Sequence, residues 1–279
     1  MAGTLTLVPT PIGNLGDLSP RSAEALAQAD FVAAEDTRVT VKLLNHLGLK
    51  KSMMPYYRHN VQEGGEAILR RLLAGENCAL VTDAGTPAVS DPGEELVRLC
   101  VENGVCVSAL PGPCALTTAL SVSGLPTGRF TFEGFLPMNK KNRKAHLDSL
   151  LGELRTMIFY EAPHKLAATL ADLSAAFGPE RPIALCRELT KLHEEVIRTT
   201  LGQAAQRYAQ ETPRGEFVLV VGGAPELPPE QPGEEDALAL VRSLLAQGLS
   251  RKDAAKEAAR TLGLPKNQLY ALALQADDA

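Results

Sequence analysis

The sequence predicts an α/β protein with two lobes, followed by a small helical domain near its carboxyl end. In the first 110 residues, short apolar runs alternate with amphipathic stretches, which is typical of a mostly parallel sheet covered by helices on both faces. After Pro111, apolar runs follow one another with little helix between them, which favours antiparallel pairing and a mixed sheet. A stretch rich in Pro and Glu then precedes three short helical patterns.

The elements of the first lobe follow from this alternation. Residues 4–8 are apolar and β-branched, too short for a helix, and end at Pro9. Ser19 and Pro20 indicate a helix start, because Ser is a preferred N-cap and Pro suits the first helical turn. The same reasoning predicts strands over 31–34, 78–81 and 105–110, and helices over 39–47, 62–73 and 93–102.

The second lobe is expected to begin with a helix near residues 115–122. A strand over 130–134, a basic loop, a strand over 156–160 and a helix after Pro163 come next, followed by strands over 183–187, 195–199 and 217–221. The predicted domains are residues 1–115, residues 116–224, a linker over 225–236 and a helical appendage over 237–279. The appendage is expected to hold helices over 237–247, 251–262 and 266–274.

Composition limits which classes of protein, which partners and which cellular compartment are compatible with the sequence. With 45% hydrophobic and 22% charged residues the chain can bury a core, and its net charge of −5 excludes a global positive field. Contact with RNA would therefore need a local basic patch. Five cysteines without a C-x-x-C pair argue against a zinc site and favour a reducing cytosol. No stretch has the length of a signal or membrane-spanning segment, so we expect a cytoplasmic protein.

Three loops that follow predicted strands carry the pattern of a ligand site. Residues 8–17 (VPTPIGNLGD) form a rigid Pro- and Gly-rich turn without the G-x-G-x-x-G fingerprint, and a plain strand-to-helix connection is the alternative. In residues 82–93 (TDAGTPAVSDPG), Asp83 could accept from a ribose or an amine, whereas Asp91 is interpreted as part of a helix opening. In residues 110–120, Cys114 and Ala115 leave room for a flat ring; an inert packed thiol is favoured over a nucleophile.

Three charged groups have both a functional and a structural interpretation. Glu35, Asp36 and Arg38 follow the predicted second strand, and they form either part of an active site or an N-cap with an ion pair. Glu161 and His164 flank a helix start and are either first-turn residues or substrate contacts. The basic run of residues 137–144 suggests phosphate contacts, with a solvated loop as the alternative; its cations are Lys140, Lys141, Arg143 and Lys144.

Seven segments together resemble one family. In chain order they are VPTPIGNLGD, AAEDTR, TDAGTPAVSDPG, LPGPCALTTALSVSGLP, EGFLP, FYEAPHK and RGEFVLVVGG. They resemble the ribosomal RNA branch of the tetrapyrrole methylase superfamily, the class III methyltransferases, and the similarity runs from about Thr4 to Gly223. The carboxy-terminal helices also resemble the helical domain appended in that branch. Porphyrin-modifying relatives have a Gly-rich first loop, whereas this chain has Pro, Thr and Pro there, which favours the RNA branch.

The resemblance implies a homodimer that binds S-adenosylmethionine between two α/β lobes. It implies 2′-O-methylation of a cytidine in the decoding region of small-subunit ribosomal RNA, with the free RNA or the 30S particle as substrate. The family's donor contacts, carried onto this sequence, are Pro11, Asp83, Gly85, Thr86, Val89, Cys114 and Ala115, with Tyr160 and Glu161 as an extension. No metal and no membrane are implied.

A 2′-hydroxyl is a poor nucleophile, so a proton acceptor is expected near the methyl donor. Among five candidates, the group of Glu35, Asp36 and Arg38 is preferred because it should face the cleft from a strand end. The basic run and the last helices, which follow a helix-turn-helix pattern, would then select the RNA. A tetrapyrrole methylase and a non-catalytic RNA-binding assembly factor are the two alternatives.

Overall fold

The structure, a computed structural model, describes residues 1–225 and 233–275 of the chain. It divides into two compact units, Met1–Ala224 and Pro225–Ala279. The first unit contains two five-stranded sheets, each with helices packed on it. The α/β class, with a parallel sheet first and a mixed sheet second, is confirmed.

The first sheet is parallel throughout, with strand order β3-β2-β4-β1-β5. Its strands are β1 (Thr4–Leu7), β2 (Phe31–Ala34), β3 (Ser52–Pro55), β4 (Cys78–Val81) and β5 (Cys106–Ala109), and its helices are α1 (Pro20–Gln28), α2 (Thr37–His46), α3 (Val61–Leu73) and α4 (Glu94–Glu102). A 3-10 turn covers Leu15–Asp17. Alternate residues of β2 face opposite sides, because successive side chains of a strand point to opposite faces: Phe31 packs with α3 and α4, and Val32 packs with α1 and α2.

Strand β3 was not predicted from the sequence. It lies at the sheet edge next to β2, and its four residues are half-buried or exposed. An edge strand of this kind needs neither a continuous apolar run nor strict alternation, so the SMMP segment carries little of the usual strand pattern.

The second sheet is mixed, with strand order β6-β7-β10-β8-β9 and one parallel pair, β6 with β7. Its strands are β6 (Phe130–Phe135), β7 (Thr156–Glu161), β8 (Pro182–Arg187), β9 (Glu195–Thr200) and β10 (Phe217–Val221), and its helices are α5 (Ala115–Ser123), α6 (Lys140–Ser149), α7 (Pro163–Phe177) and α8 (Leu201–Gln210). Helix α5 covers one face, and α7 and α8 pack on the other.

Two predictions for this lobe are wrong. The basic run expected as a loop is the first part of helix α6, whose N-cap Asn139 accepts hydrogen bonds from the amides of Lys141 and Asn142. Its apolar anchors, Leu147 and Leu150, come only after the cations, so the run itself carries no helical periodicity. Helix α8 was also missed; it connects β9 to β10, and Thr200 caps its start.

The described part of the second unit contains three helices, as predicted: α9 (Glu234–Ala246), α10 (Arg251–Leu262) and α11 (Lys266–Gln275). They share a small core that includes Val241, Ala255 and Leu269. Helix α9 begins three residues earlier than expected, because three acidic residues occupy its first turn, where the helix dipole favours negative charge. Most of the predicted linker and residues 276–279 lie outside the described residues. No described helix is both long and apolar enough to cross a bilayer.

Candidate active site

A cavity of about 450 Å³ lies where the loops after β1 and β4 and the turn after β5 meet the second sheet. Its volume is within the range of about 300–1,000 Å³ typical of small-molecule sites. The first lobe and the turn into the second contribute Ile12, Glu35, Thr82, Asp83, Ala84, Gly85, Thr86, Val89, Ser90, Asp91, Cys114 and Ala115; the second lobe contributes Phe135, Tyr160, Glu161, Ala162, Pro163, Cys186, Leu189, Glu216, Phe217 and Val218. We call this cavity the main cleft.

Backbone hydrogen bonds hold the first two loops together. The Thr10 amide donates to the Gly85 carbonyl over 2.9 Å, and the Gly85 amide donates to the Thr10 carbonyl over 3.1 Å. Gly85 has a φ of +90°, a conformation that a residue with a side chain rarely adopts. The Thr86 hydroxyl donates to the Pro113 carbonyl over 2.8 Å and thereby connects the third loop. The three loops selected from the sequence therefore form one continuous wall.

Backbone strain is concentrated beside the main cleft. Within the described residues, the non-glycine residues with positive φ are Ala88, Ser90, Glu188 and Thr190. The first two lie in the loop after β4, and the other two flank Leu189, which lines the cleft. Such conformations are unfavourable by about 1–3 kcal/mol each and are retained mainly at functional sites. Their position supports a ligand-binding role for these two loops.

The main cleft is acidic. Five carboxylates line it (Glu35, Asp83, Asp91, Glu161 and Glu216), and no Lys, Arg or His belongs to the described lining. Burial, reinforced by the neighbouring Glu35 charge, raises the pKa of Asp91 to about 6. The same two causes raise the pKa of Asp83. A site that resists carboxylate ionisation in this way favours a ligand with positive charge.

The group predicted as catalytic divides between two environments. The Glu35 carboxylate lines the main cleft and accepts a hydrogen bond from the Thr82 hydroxyl over 2.7 Å. Asp36 is the N-cap of α2, and its carboxylate pairs with Arg38 at 2.6 Å. That pairing lowers the pKa of Asp36 to about 2. Neither Asp36 nor Arg38 belongs to the described lining, although the Asp36 amide donates to the Asp83 carboxylate over 3.1 Å.

Two predicted residues of the second lobe support the wall as well as lining it. The Tyr160 hydroxyl accepts from the Leu116 amide over 3.1 Å, and burial raises the pKa of Tyr160. Glu161 is 4% exposed, and its carboxylate accepts hydrogen bonds from the Ala162 amide and the Thr169 hydroxyl. Both residues therefore connect β7 to the adjoining helices at the cleft.

Most of the other residues predicted to contact a ligand lie in this wall, namely Asp83, Gly85, Thr86, Val89, Cys114 and Ala115. Pro11 lines a smaller neighbouring pocket instead. His164 is exposed in the first turn of α7. Asp91, interpreted above as part of a helix opening, lies in the wall, because α4 begins at Glu94 with Gly93 as its N-cap. The position of Asp91 in the polar 82–93 segment was the available sequence clue.

The predicted RNA-binding cations differ in their exposure and in their ion pairs. Lys140 and Lys141 are exposed at the start of α6. Lys144 is also exposed and pairs with Asp148 at 2.7 Å. Arg143 is largely buried; it pairs with Asp172 at 2.6 Å and donates to the Thr169 hydroxyl at 2.8 Å. Arg143 thus belongs to the helix interface and not to a free basic surface.

Comparison with known proteins gives two family matches. A family described as Tetrapyrrole (Corrin/Porphyrin) Methylases matches residues 4–205, and one described as RsmI C-terminal HTH domain matches residues 231–277. A Synechocystis protein named ribosomal RNA small subunit methyltransferase I is 48% identical over 275 residues, covering 98% of each chain. The protein of the same name from Escherichia coli O157:H7 is 45% identical, covering 98% of this chain and 95% of the relative.

Solved structures share the fold at low identity. Uroporphyrin-III C-methyltransferase from Thermus thermophilus, complexed with S-adenosylhomocysteine, has a TM-score of 0.56 and 19% identity, covering 79% of this chain and 97% of that one. Diphthine synthase has a TM-score of 0.60 and 16% identity, covering 79% and 90%.

The fold and the family match define a two-lobed methyltransferase. The chain belongs to the tetrapyrrole methylase family and, within it, to the group of ribosomal RNA small subunit methyltransferase I proteins.

Proposed function

We propose that the protein transfers a methyl group from S-adenosylmethionine to the 2′-hydroxyl of a cytidine in the decoding region of small-subunit ribosomal RNA. We further propose that it acts as a homodimer in the cytoplasm. The names of the relatives that match nearly the whole chain support small-subunit ribosomal RNA as the substrate. The cytidine 2′-hydroxyl and the decoding region follow from the family resemblance of the sequence motifs. The observation that carries the donor assignment is the acidic lining of the main cleft, without a cation among its described residues.

The cleft residues fit the positive charges of this donor. Its sulfonium and ammonium groups are cations, and Asp83 and Glu161 are carboxylates in the wall that could stabilise cationic or hydroxyl groups. The peptide around Gly85 and Thr86 and the small side chains of Cys114 and Ala115 offer a flat surface for a ring. Val89 and Tyr160 complete the proposed donor contacts, and Pro11 supports the first loop from its other side.

When bound, the donor supplies an electrophilic methyl group on a positively charged sulfur. The chain's own contribution is to hold the two reactants in line, which can lower a barrier by about 7–11 kcal/mol for well-oriented pairs. The hydrogen bonds between Thr10, Gly85 and Thr82 fix the wall in advance of binding, so little reorganisation is needed at the moment of reaction.

Glu35, Asp36 and Arg38 remain the proposed catalytic group, with Glu35 as the proton acceptor. Asp36 and Arg38 form an ion pair at the start of α2, directly after Glu35 in the chain. Asp91 is added as a second candidate acceptor, because it shares the cleft wall with Glu35 and its raised pKa suits proton transfer near neutral pH. Glu35→Gln and Asp91→Asn are each expected to lower turnover, by about 10²–10⁴-fold for the true acceptor. Donor binding, measured separately by calorimetry, should stay within threefold; turnover within threefold for both variants would exclude both residues.

We propose that the RNA is bound by exposed cations of α6 and by the carboxy-terminal helices. Lys140, Lys141 and Lys144 are the accessible members of the predicted group, whereas Arg143 is assigned to positioning. Helix α10 carries Lys252, Lys256 and Arg260 at intervals of four residues, so these exposed cations share one face. The match of residues 231–277 to a helix-turn-helix family supports this assignment.

The decisive experiment supplies methyl-labelled donor with small ribosomal subunits that lack the modification, with the free RNA, and with a porphyrinogen. We expect label in the ribosomal RNA at one cytidine 2′-oxygen, mapped by primer extension. Label in the porphyrinogen alone would favour a tetrapyrrole methylase. Donor and RNA binding without transfer to any acceptor would favour an assembly factor.

A further inference from the structure

A second pocket of about 250 Å³ lies beside the main cleft and shares Thr82 and Asp83 with it. Helix α2 forms its other side, where Val39, Thr40 and Lys42 belong to the lining. We call it the α2 pocket. Because the two cavities meet at Asp83, a molecule seated in the α2 pocket would be next to whatever the main cleft binds.

Thr40 is the polar group of the α2 pocket that lacks a partner. Its side chain is 3% exposed, and its hydroxyl oxygen has no hydrogen-bond partner within the described residues. A buried polar atom without a partner is unfavourable and uncommon in native proteins. The oxygen has almost no accessible surface, so a ligand in the α2 pocket would bond it only after the Thr40 side chain rotates about χ1 and exchanges its methyl group for its hydroxyl.

The remaining walls favour a small, flat ligand. Leu15, Val39 and Leu43 provide apolar surface, and the volume is below the range of about 300–1,000 Å³ for drug-sized ligands. Lys42 is exposed and makes no ion pair with any described residue, so its ammonium is available for a phosphate at the rim. A single heterocycle attached to a sugar phosphate matches this combination of apolar faces, one hydroxyl and one cation.

We propose that the α2 pocket binds the pyrimidine base of the acceptor nucleotide, with the Thr40 hydroxyl bonded to the edge of the ring. Enzymes that modify a nucleotide commonly take its base out of the stack into a pocket of this kind. With the base in the α2 pocket, the ribose is expected near Asp83, at the mouth of the main cleft. This inference rests on the proposed function, since it requires a nucleotide acceptor.

Two neighbouring valines of α2 provide the test and its control. Val39 and Val41 are 38% and 37% exposed, and Val39 alone of the two lines the α2 pocket. Val39→Trp should fill the pocket and raise the KM for small ribosomal subunits at least tenfold. Donor affinity, measured by calorimetry, should remain within twofold. Val41→Trp should behave as the wild type in both assays. Equal KM values for the two variants would overturn the inference.

Thr40→Val removes the hydroxyl while keeping the shape of the side chain. We expect a KM for small subunits about fivefold higher, together with a melting temperature equal to or above that of the wild type, because an unpartnered polar atom has been removed. A purely structural role would give a lower melting temperature with an unchanged KM, and that result would contradict the proposed hydrogen bond.

A binding experiment separates this inference from the proposed function. Cytidine monophosphate, added to protein saturated with S-adenosylhomocysteine, should shift the NMR signals of the Val39 and Leu43 methyl groups, and Val39→Trp should abolish binding. A wild type that binds the nucleotide in this way but methylates no RNA would overturn the proposed function and leave the pocket assignment standing. An active wild type without these shifts would overturn the pocket assignment alone.

Discussion

Asp91 shares the wall of the main cleft with two other carboxylates, Glu35 and Asp83, and this environment determines its protonation. Burial and the neighbouring charges raise its pKa from 3.8 to about 6 in the folded chain. Between these pH values the unfolded chain releases a proton that the folded chain retains. The contribution of Asp91 to stability therefore falls as the pH rises from about 4 to about 6, and stays low above that.

Asp91→Asn should remove this loss of stability with rising pH. At pH 7.5 we expect the variant to be more stable than the wild type by about 1 kcal/mol, after allowance for solvent screening of a half-buried group. At pH 4 we expect the two proteins to be equally stable. Urea unfolding at the two pH values measures the difference. Asp17→Asn, at an exposed position outside the cleft, serves as the control. A gain of the same size at both pH values would contradict the titration argument.

Gly112 allows the third loop to pass close to the first. A Cβ atom at this position would lie 2.5 Å from Cβ of Pro9, whereas one at Gly128 would meet nothing within 4 Å. Gly112→Ala should displace the first loop, lower the free energy of unfolding by about 1–3 kcal/mol and weaken donor binding about tenfold. Gly128→Ala should leave both unchanged. Urea unfolding and calorimetry test this, and unaltered donor affinity in Gly112→Ala would argue against a role for the first loop.

At the scale of elements, helix α6 combines an exposed basic start with an anchored centre. Arg143 connects α6 to α7 through Asp172 and Thr169, and Thr169 in turn donates to Glu161 in the main cleft. Removing this cation leaves two hydrogen-bonding groups without their partner. A chain of hydrogen bonds therefore connects helix α6 to Glu161 in the main cleft.

Arg143→Ala should lower the free energy of unfolding by about 1–2 kcal/mol, because it removes a largely buried side chain together with its hydrogen bonds to Asp172 and Thr169. Lys144→Ala, on the same helix, removes an exposed ion pair with Asp148 and should change stability by less than about 0.5 kcal/mol. Denaturant unfolding of the two variants compares them directly. Equal destabilisation would show that Arg143 contributes no more than a surface cation.

If the exposed start of α6 binds RNA, its contribution to the affinity should depend on the salt concentration. If Lys140 and Lys141 contact phosphates, Lys140→Ala/Lys141→Ala should weaken RNA binding and reduce the log–log slope against salt by about 1.4, from about 0.7 per contact. The control replaces Lys50 and Arg70, two exposed cations of the first lobe, and should keep the wild-type slope. Filter binding between 50 and 300 mM salt measures both. An unchanged slope for the α6 variant would remove this helix from the RNA surface.

At the scale of the whole molecule, we propose that the second compact unit adds RNA contacts to those of α6, whereas donor binding belongs to the first unit alone. Replacing Lys252, Lys256 and Arg260 by alanine, or deleting residues 233–279, should weaken RNA binding and leave donor affinity within twofold. Neutral changes at exposed positions of the same unit, Ser243→Ala and Gln247→Ala, provide the control. Wild-type RNA affinity after the deletion would assign the carboxy-terminal helices a purely structural role.

Several strands, helix starts and cleft loops of this protein could be predicted from neighbouring residues in the sequence. The apolar runs at residues 31–34 and 78–81 identified buried strands, and Ser19 and Pro20 marked a helix start, because strand burial and helix capping depend on neighbouring residues. The Gly- and Pro-rich segment over 82–93 identified a wall of the main cleft for a similar reason. Such a segment packs poorly but lets the backbone approach a ligand.

Tertiary structure decided which charged groups far apart in the chain meet, whereas the local pair of Asp36 and Arg38 was one of two interpretations of the sequence. Arg143 belongs to a helix interface because Asp172 lies 29 residues away in sequence but in contact in space. Asp91 has a raised pKa because folding buries it near Glu35, and Thr40 lines a pocket because the first loop returns to α2. Desolvation and charge pairing depend on distances in space between residues far apart in the chain. The order of residues therefore predicted the elements and loops, while folding determined the electrostatics and the cavities between them.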